Sequence, residues 1–374
     1  MLLFIAIFLL FLSLFPYSVY LFGIYFGRKS NPVIPLQSFP FISIIISAYN
    51  EEQVIAKRIE NIKECHYPCG RYEILFVDDC SNDNTKNLAK TSFERSGLTY
   101  RIIENTERLG TTRSYNAAIT QAQYPIIVTT DADVFFEPDA LNYLIGRLLS
   151  NEKIAAVTGE LRPLMNPNST TLLEGVYRSF YGRMCDWESS MDSTYNFNGA
   201  IVAFRSDLIK RINDKRGADD ANTAFEAIRK GYRAVYESKS IVYEEIPQSF
   251  NVQYRQKTRR ATGLIEATLS NLDLLGKKNW FCRFFYPMRI FMYVCTPLLF
   301  FISVFLLFLG LFLYNPFLLL ILLALLLVAG IVWRQNLVFA FILNQFYLLA
   351  GLLNLGKDIR VWESTSDKKK PPSS

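Results

Sequence analysis

Charge is missing from two long stretches of this chain, and that absence organises the rest. Residues 1–27 carry no charged side chain, and neither do residues 290–333. About 20 apolar residues span the hydrocarbon core of a bilayer, so each stretch is long enough to cross. The first lacks the basic start and small-residue cleavage site of a removable leader, and Arg28 and Lys29 follow it at once. A retained anchor is the expectation. Paired cysteines are missing too: Cys65, Cys69, Cys80, Cys185, Cys282 and Cys295 show no metal-ligand spacing, and no second ligand pair follows Cys65, His66 and Cys69. Free thiols in a reducing compartment account for them. Basic residues interleaved with aromatics are also absent, so no nucleic-acid partner is expected. The formal net charge of +6 is assigned to anionic lipid and phosphate partners.

What is present is apolar sequence, 51% of the residues, concentrated at the two ends. Asn315-Pro316 breaks the run 290–333 with a turn signal, which at ~1.5 Å per residue leaves room for nearly two crossings of ~30 Å. Residues 335–356 are uncharged but contain Asn336, Asn344, Gln345 and Asn354, so they either cross or lie in the interface. Basic residues beside spans favour the cytoplasm, which places the centre of the chain there through Arg28 and Lys29. Lys357, Arg360 and Lys368 to Lys370 prefer the same side, so two crossings with 335–356 interfacial or re-entrant are expected. The expected division is an anchor at 1–27, a central domain at 38–248, amphipathic interfacial helices at 249–285, membrane helices at 286–356 and a disordered basic tail at 357–374. The protein is expected at the cell membrane, multi-pass, with the central domain 38–248 cytoplasmic.

The centre reads as α/β. FISIIIS (41–47) and YEILFV (72–77) are short apolar runs typical of strands buried on both faces, and 100–103 and 125–130 add further strands. Helical spacing recurs over 53–64, 85–95, 112–121 and 223–230. This alternation predicts an open Rossmann-like sheet with mainly parallel strands, whose ligands bind beyond the strand C-termini. Tyr49, Glu51, Asp78, Asp79, Asp131 and Asp133 all fall just past strand ends. Any one of them alone is a turn residue. The ordered set VDDCSND, TDAD, ADD and QKTRR points to chemistry.

In TDAD, Asp131 and Asp133 sit two apart after an apolar strand, where both carboxylates can converge on one side. Hard oxygen ligands suit Mg²⁺ or Mn²⁺, which takes one or two carboxylates plus diphosphate oxygens. Asp219 and Asp220 open a helix; this is either capping and dipole chemistry or a general base with a supporting acid. Gln256, Arg259 and Arg260 share a helical neighbourhood suited to phosphate or to a membrane surface. Asn198 and Gly199, in NGAIVA, offer close backbone approach to a sugar, or a simple loop-to-strand turn.

In this order the motifs resemble the membrane-bound family 2 glycosyltransferases with a GT-A catalytic domain, the group that includes cellulose, chitin, hyaluronan and poly-N-acetylglucosamine synthases. The resemblance covers roughly residues 40–285. It implies that Tyr49 and Glu51 belong to the first nucleotide-binding loop, that Asp78 contacts the base, and that Asp131 and Asp133 are the DxD motif, with Asp133 the direct metal ligand. It implies that Asn198 and Gly199 lie below the acceptor sugar, with Asp219 beside them, and that Asp220 is the catalytic base. Gln256 and Arg259, with Arg260, would hold the donor diphosphate. The implied reaction is inverting transfer from a nucleotide-sugar, expected to be a UDP-sugar, to a saccharide or polysaccharide acceptor, with a polyprenyl phosphate or glycolipid acceptor as the alternative. A non-catalytic transporter or binding subunit is the remote alternative; a transporter would place ionisable residues inside its spans, which are lacking here.

Two positions depart from the family pattern. Arg260 stands where the motif usually ends in Trp, so the aromatic platform for a growing polysaccharide is missing. Thr111 follows Arg108-Leu109-Gly110 where many members have Gly-Lys before the helix marked by Asn116.

Overall fold

A computed structural model describes residues 1–33, 36–164, 169–214, 217–247, 249–332 and 337–356. The basic tail and the first two residues of 335–356 lie outside the described residues. The apolar runs form strands where their composition requires burial: β1 (Ile42–Ala48), β2 (Tyr72–Asp78), β3 (Tyr100–Glu104) and β4 (Ile126–Asp131). β5 (Val134–Phe136), β6 (Ile154–Pro163), β7 (Val202–Arg205) and β8 (Arg233–Glu244) extend them into one sheet, ordered β3-β2-β1-β4-β7-β6-β8-β5. Along β1, Ile42, Ile44 and Ile46 enter one core and Ile45 the other, because successive side chains point to opposite faces. Full burial of each such side chain contributes about 1.5–3 kcal/mol.

The expected parallel order holds across β3, β2, β1 and β4. It is interrupted at β7, which runs antiparallel to both β4 and β6, and at the edge strand β5, antiparallel to β8; the other six strands share one direction, so the sheet is mainly parallel, as expected, with two reversed strands. The reversal follows the end of simple strand-helix alternation at β4. It also creates a switch in strand direction beside β4, where such sheets bind ligands. Register brings the motifs to one rim, with Ala48 opposite Asp78 and Ser47 opposite Asp131.

Helices α1 (Leu2–Phe26), α2 (Ile55–Lys63), α3 (Thr85–Ser96), α4 (Thr111–Ile119), α5 (Ala140–Leu149), α6 (Ser169–Met191), α7 (Asp219–Arg229) and α8 (Phe250–Ser270) surround this framework. Among the described residues, two helical stretches are long and apolar enough to cross a membrane: α1 and Phe281–Tyr314. They pack side by side, so closely that a Cβ on Gly310 would lie 2.8 Å from the Leu3 side chain. Their outer faces expose Phe4, Phe8, Phe11, Phe15, Phe305 and Phe312. Asn315 separates the second stretch from the helix Pro316–Val332.

α8 is clasped rather than laid on a surface. Its Ala261, Thr262 and Ile265 are buried, and Gly351 of the helix Leu337–Leu353 approaches Ala261 and Thr262 closely. At the other end of α1, Gly23 and Gly27 lie flat against Trp187 of α6, where any Cβ would collide with the indole. α1 and the sheet-bearing domain are therefore packed as one body at this point.

Candidate active site

The two loops beyond β1 and β2 are knitted together by backbone donors. Asn50 N–H donates to Ser81 Oγ (3.0 Å), Glu51 N–H to Thr85 Oγ1 (2.7 Å) and Asn82 N–H to Asn50 Oδ1 (3.0 Å). Asn50 and Cys80 accept positive φ angles of 56° and 62° to make these turns. Tyr49 is covered by the Arg108 guanidinium, 3.4 Å from its ring centroid. Asp78 ends β2, buried; Ser81 N–H donates to its Oδ2 at 3.3 Å, while Oδ1 has no hydrogen-bond partner. Burial raises its pKa. A buried acceptor without a donor is a ready partner for an N–H of a base.

Asp79 has a different task. Its carboxylate accepts from Leu109 N–H (2.8 Å), Gly110 N–H (2.9 Å) and Asn105 Nδ2 (2.8 Å), which fixes the loop leading into α4. Asn116 exchanges two hydrogen bonds with the Ile212 backbone, at 2.9 and 2.8 Å, so it positions the chain rather than a ligand. Thr111 and Arg113 line the cavity at the start of α4, where Arg113 pairs with Asp214 at 3.6 Å.

Asp131, at the end of β4, meets Asp220, in the first turn of α7, across Gly199. A Cβ built on Gly199 would lie 3.7 Å from Asp131 Oδ2 and 4.0 Å from Asp220 Oδ2. Three motifs far apart in sequence thus face one space, part of a cavity of about 710 Å³. Tyr115 hydroxyl donates to Asp131 Oδ1 at 3.4 Å, and Ala221 N–H donates to Asp220 Oδ1 at 2.7 Å. Burial, with the charges of Asp133 and Asp219 adding to it, pushes Asp131 well above the usual carboxylate range. Burial and the neighbouring Asp219 push Asp220 up to about 7, and burial also raises Asp219. Asp133 lies exposed on the turn after β4.

The start of α7 is locked to α8. Gly217 has φ +83°, and a Cβ there would lie 2.3 Å from Ala267 N, so only glycine fits. Ala218 N–H donates to Gly263 O at 3.0 Å. Asp219 and Asp220 are thereby registered against the helix that carries Gln256, Arg259 and Arg260. Arg259 sits within the fields of Asp131, Asp133 and Glu244, and burial with the adjacent Arg260 brings its pKa down to about 10. Arg260 donates to Glu244, and Gln256 Nε2 lies 3.4 Å from the same carboxylate. Arg178 of α6 bridges Glu244 (2.9 Å) and Glu174 (2.7 Å), and Lys257 also reaches Glu174. Asn198 Nδ2 donates to Gly159 O at 2.6 Å, leaving its buried Oδ1 unpartnered beside the cavity.

Among the described residues no three His, Cys, Asp or Glu side chains form a ready-made metal cage. Asp131 and Asp133, two acids on one turn with Asp131 desolvated, fit a hard divalent ion that takes its remaining ligands from a diphosphate and water. Several contributors carried no local sequence signal. Arg58 of α2 is fully buried, stacks on Phe136 at 4.0 Å and donates to Thr130 Oγ1 at 2.9 Å, a cation directly behind the DxD turn. Tyr115, Glu174 and Arg178 are similar cases, because their partners lie on distant elements. Glu244 ends β8 and shared the strand-end signal that marked the aspartates.

An α/β sheet with a strand reversal beside paired acids, and a basic helix across the cavity, has the arrangement of a GT-A-type fold. Residues 43–211 match the family model for glycosyl transferase family 2. These residues therefore form a glycosyltransferase family 2 domain. It is 27% identical over 238 residues to the probable glycosyltransferase YdaM of Bacillus subtilis (strain 168), covering 61% of this chain and 56% of that relative. It is 24% identical over 289 residues to the poly-beta-1,6-N-acetyl-D-glucosamine synthase of Staphylococcus aureus (strain COL), covering 76% and 68%. The match thus spans little more than half to two thirds of the relatives' length. In fold it is similar to a mannosyltransferase, PcManGT, from Pyrobaculum calidifontis solved with GDP-Man and Mn²⁺. That similarity has a TM-score of 0.82 at 24% identity and covers 95% of this chain and 98% of the other. The family match includes Asp78, Asp131, Asp133, Asn198 and Gly199 but stops short of Asp220 and the α8 cluster.

Proposed function

We propose that the chain transfers a sugar from a nucleotide-sugar, with inversion, to an acceptor hydroxyl at the membrane surface. The observation that carries this is the approach of Asp131 and Asp220 to the two sides of Gly199, with Arg259 across the same cavity. The donor base lies against Tyr49, Asp78 and the Glu51 loop. Its diphosphate reaches Asp131, Asp133 and Arg259, with Arg260 next to Arg259 and Gln256 one turn back. Asp131 and Asp133 would hold a Mg²⁺ or Mn²⁺ ion, which would neutralise charge on the leaving diphosphate. Asp220 takes the acceptor proton, the acceptor oxygen bonds to the anomeric carbon, and the bond to the diphosphate breaks on the opposite face. Asp219, Asn198 and Gly199 hold the acceptor sugar.

A base near pH 7 suits this task, because proton transfer is most effective when the base's pKa lies close to working pH. The acceptor is a saccharide or growing polysaccharide in the first reading. A second reading is supported by Arg178, whose buried Nη1 has no partner, and by Tyr177, Tyr181, Leu343 and Tyr347 lining the same cavity. A cationic neck leading into an aromatic and aliphatic groove suits a lipid-linked, phosphorylated acceptor. The membrane setting rests on α1 and Phe281–Tyr314, and a cytoplasmic catalytic domain rests on Arg28 and Lys29.

The test is a donor screen on membranes containing the full chain, with nucleotide release and labelled product as readouts, first in Mg²⁺ and then in Mn²⁺. Metal-dependent transfer from a UDP-sugar is the expected result. Product extracted into organic solvent with one added sugar favours the lipid acceptor, whereas a long water-soluble product favours the polysaccharide. No hydrolysis or transfer with any nucleotide-sugar sinks the proposal.

A further inference from the structure

A second cavity, of about 380 Å³, lies where the segment after α1 meets the ends of α5 and α6 and the start of β8. Four cations line it: Arg28, Lys29, Arg147 and Arg233. Glu237 answers one of them, lying 2.7 Å from Arg147 Nε. Arg233 directs its guanidinium at the carbonyls of Ser189 (2.5 Å) and Asp192 (2.6 and 2.8 Å), so its charge is hydrogen-bonded without being neutralised there. Burial lowers its pKa; Asp192 opposes the shift, and Arg147 and Arg28 add to it. The cavity therefore concentrates positive charge.

This is a built cavity rather than a loose surface cluster. Trp187 packs on Gly23 and Gly27 and fixes where α1 ends. Ser190 Oγ donates to Arg28 O (2.7 Å), Ser30 Oγ to Asp186 O (3.2 Å) and Arg147 Nη2 to Asn31 O (2.8 Å). These bonds hold the backbone of residues 28–31 on the ends of α5 and α6. Position identifies the source of the anion. Phe22, Tyr25 and Phe26 in the last turns of α1 are exposed, and Arg28 follows at once. In an inserted helix, aromatic residues followed by Arg and Lys sit at headgroup level.

We propose that this cavity binds the phosphate headgroup of an anionic phospholipid and thereby seats the catalytic domain on the membrane. The proposal rests on insertion of α1 and not on the glycosyltransferase reading, so either can fail alone. Tyr236 lines this cavity and the catalytic one, and its hydroxyl donates to Glu160 on the catalytic side. The headgroup site therefore shares a wall with the active site.

The test uses the full chain in mild detergent, titrated with fluorescent phosphatidylglycerol and, separately, phosphatidylcholine. Phosphatidylglycerol is expected to bind more tightly. Removing both charges in R28Q/K29Q is expected to reduce that preference about 25-fold, roughly fivefold per charge. The charge-retaining R28K/K29R pair should keep it. Equal affinity for the two lipids on the unmodified chain overturns the proposal without reliance on any variant. So does a folded R28Q/K29Q chain that retains full preference. Displacement of phosphatidylglycerol by millimolar inorganic phosphate assigns the cavity to a soluble anion and overturns the lipid assignment.

Discussion

The carboxylates on the two sides of the cavity are in opposite states. On the rim at the ends of β2 and β4 and the start of α7, burial raises Asp78, Asp131, Asp219 and Asp220 above the ordinary carboxylate range. Across the cavity, Glu174 and Glu244 are just as buried, yet Arg178 with Lys257, and Arg260 with Arg178, hold them down at about 2. The first set lacks sufficient counter-charge from the protein itself; the second is neutralised internally. The rim is prepared for charge that arrives with ligands, whereas the Glu–Arg lattice fixes the positions of α6, β8 and α8 around it.

The largest expected effect is on the rim. Asp220→Asn should bind donor normally and lose about 10²–10⁴ in transfer rate, the usual cost of removing a positioned base. Because Asp220 must be ionised to accept a proton, transfer by the unmodified enzyme should rise with pH up to about 7 and then level. Single-turnover rates from pH 5.5 to 8.5 measure both. A variant that keeps near-normal transfer rejects the base assignment.

The lattice should fail in stability. Glu244→Gln leaves Arg178 and Arg260 short of their shared counter-ion; breaking a buried pair costs about 3–5 kcal/mol. Thermal unfolding in detergent reads this, with donor affinity changed less than stability. The pH dependence has a definite sign. Glu174 and Glu244 have folded pKa values below their unfolded ones, so their contribution is present above about 4.5 and is lost as pH falls towards about 2. An unchanged melting temperature for Glu244→Gln would falsify the comparison.

Arg259 stands between the two sets. Arg259→Ala should weaken nucleoside-diphosphate binding by about 10- to 100-fold, from the loss of roughly 1.5–3 kcal/mol of charge-assisted hydrogen bonding. Calorimetric titration with nucleoside diphosphate and metal checks this. Equal affinity in both proteins removes Arg259 from the diphosphate site.

The rim was largely legible in the sequence because its residues lie at strand ends, and a parallel sheet carries strand ends to one side whatever the intervening sequence. Asp78 and Asp131 are therefore at the strand ends, where their spacing implied. The lattice was not legible. Arg178 and Glu174 belong to a helix without a motif, and their partners are 66 and 83 residues away. Arg260, expected to face the donor, also pairs with Glu244; the missing Trp signalled a changed acceptor side without naming the ion pair. The antiparallel β7 was equally hidden, since a four-residue apolar run does not state its direction.

The smallest effect sharpens the comparison most directly. Asp78 is buried with Oδ1 unpartnered and its pKa raised, so in the free protein its ionised form costs stability. A folded pKa above the unfolded value means that this cost grows as pH rises through the carboxylate range. Asp78→Asn removes the charge and keeps the shape. Its melting temperature at pH 7.5 should be no lower than that of the unmodified chain, the reverse of Glu244→Gln. Nucleotide affinity should fall about three- to tenfold, the value of one hydrogen bond of roughly 0.7–1.4 kcal/mol. The rate at saturating donor should be unchanged, because the role proposed for Asp78 is at the base and not at the reacting carbon. Melting curves and nucleotide titrations on the same preparation decide it: a loss of stability with affinity intact makes Asp78 a structural acid like Glu244, and the distinction between the two sets then ends at Asp131.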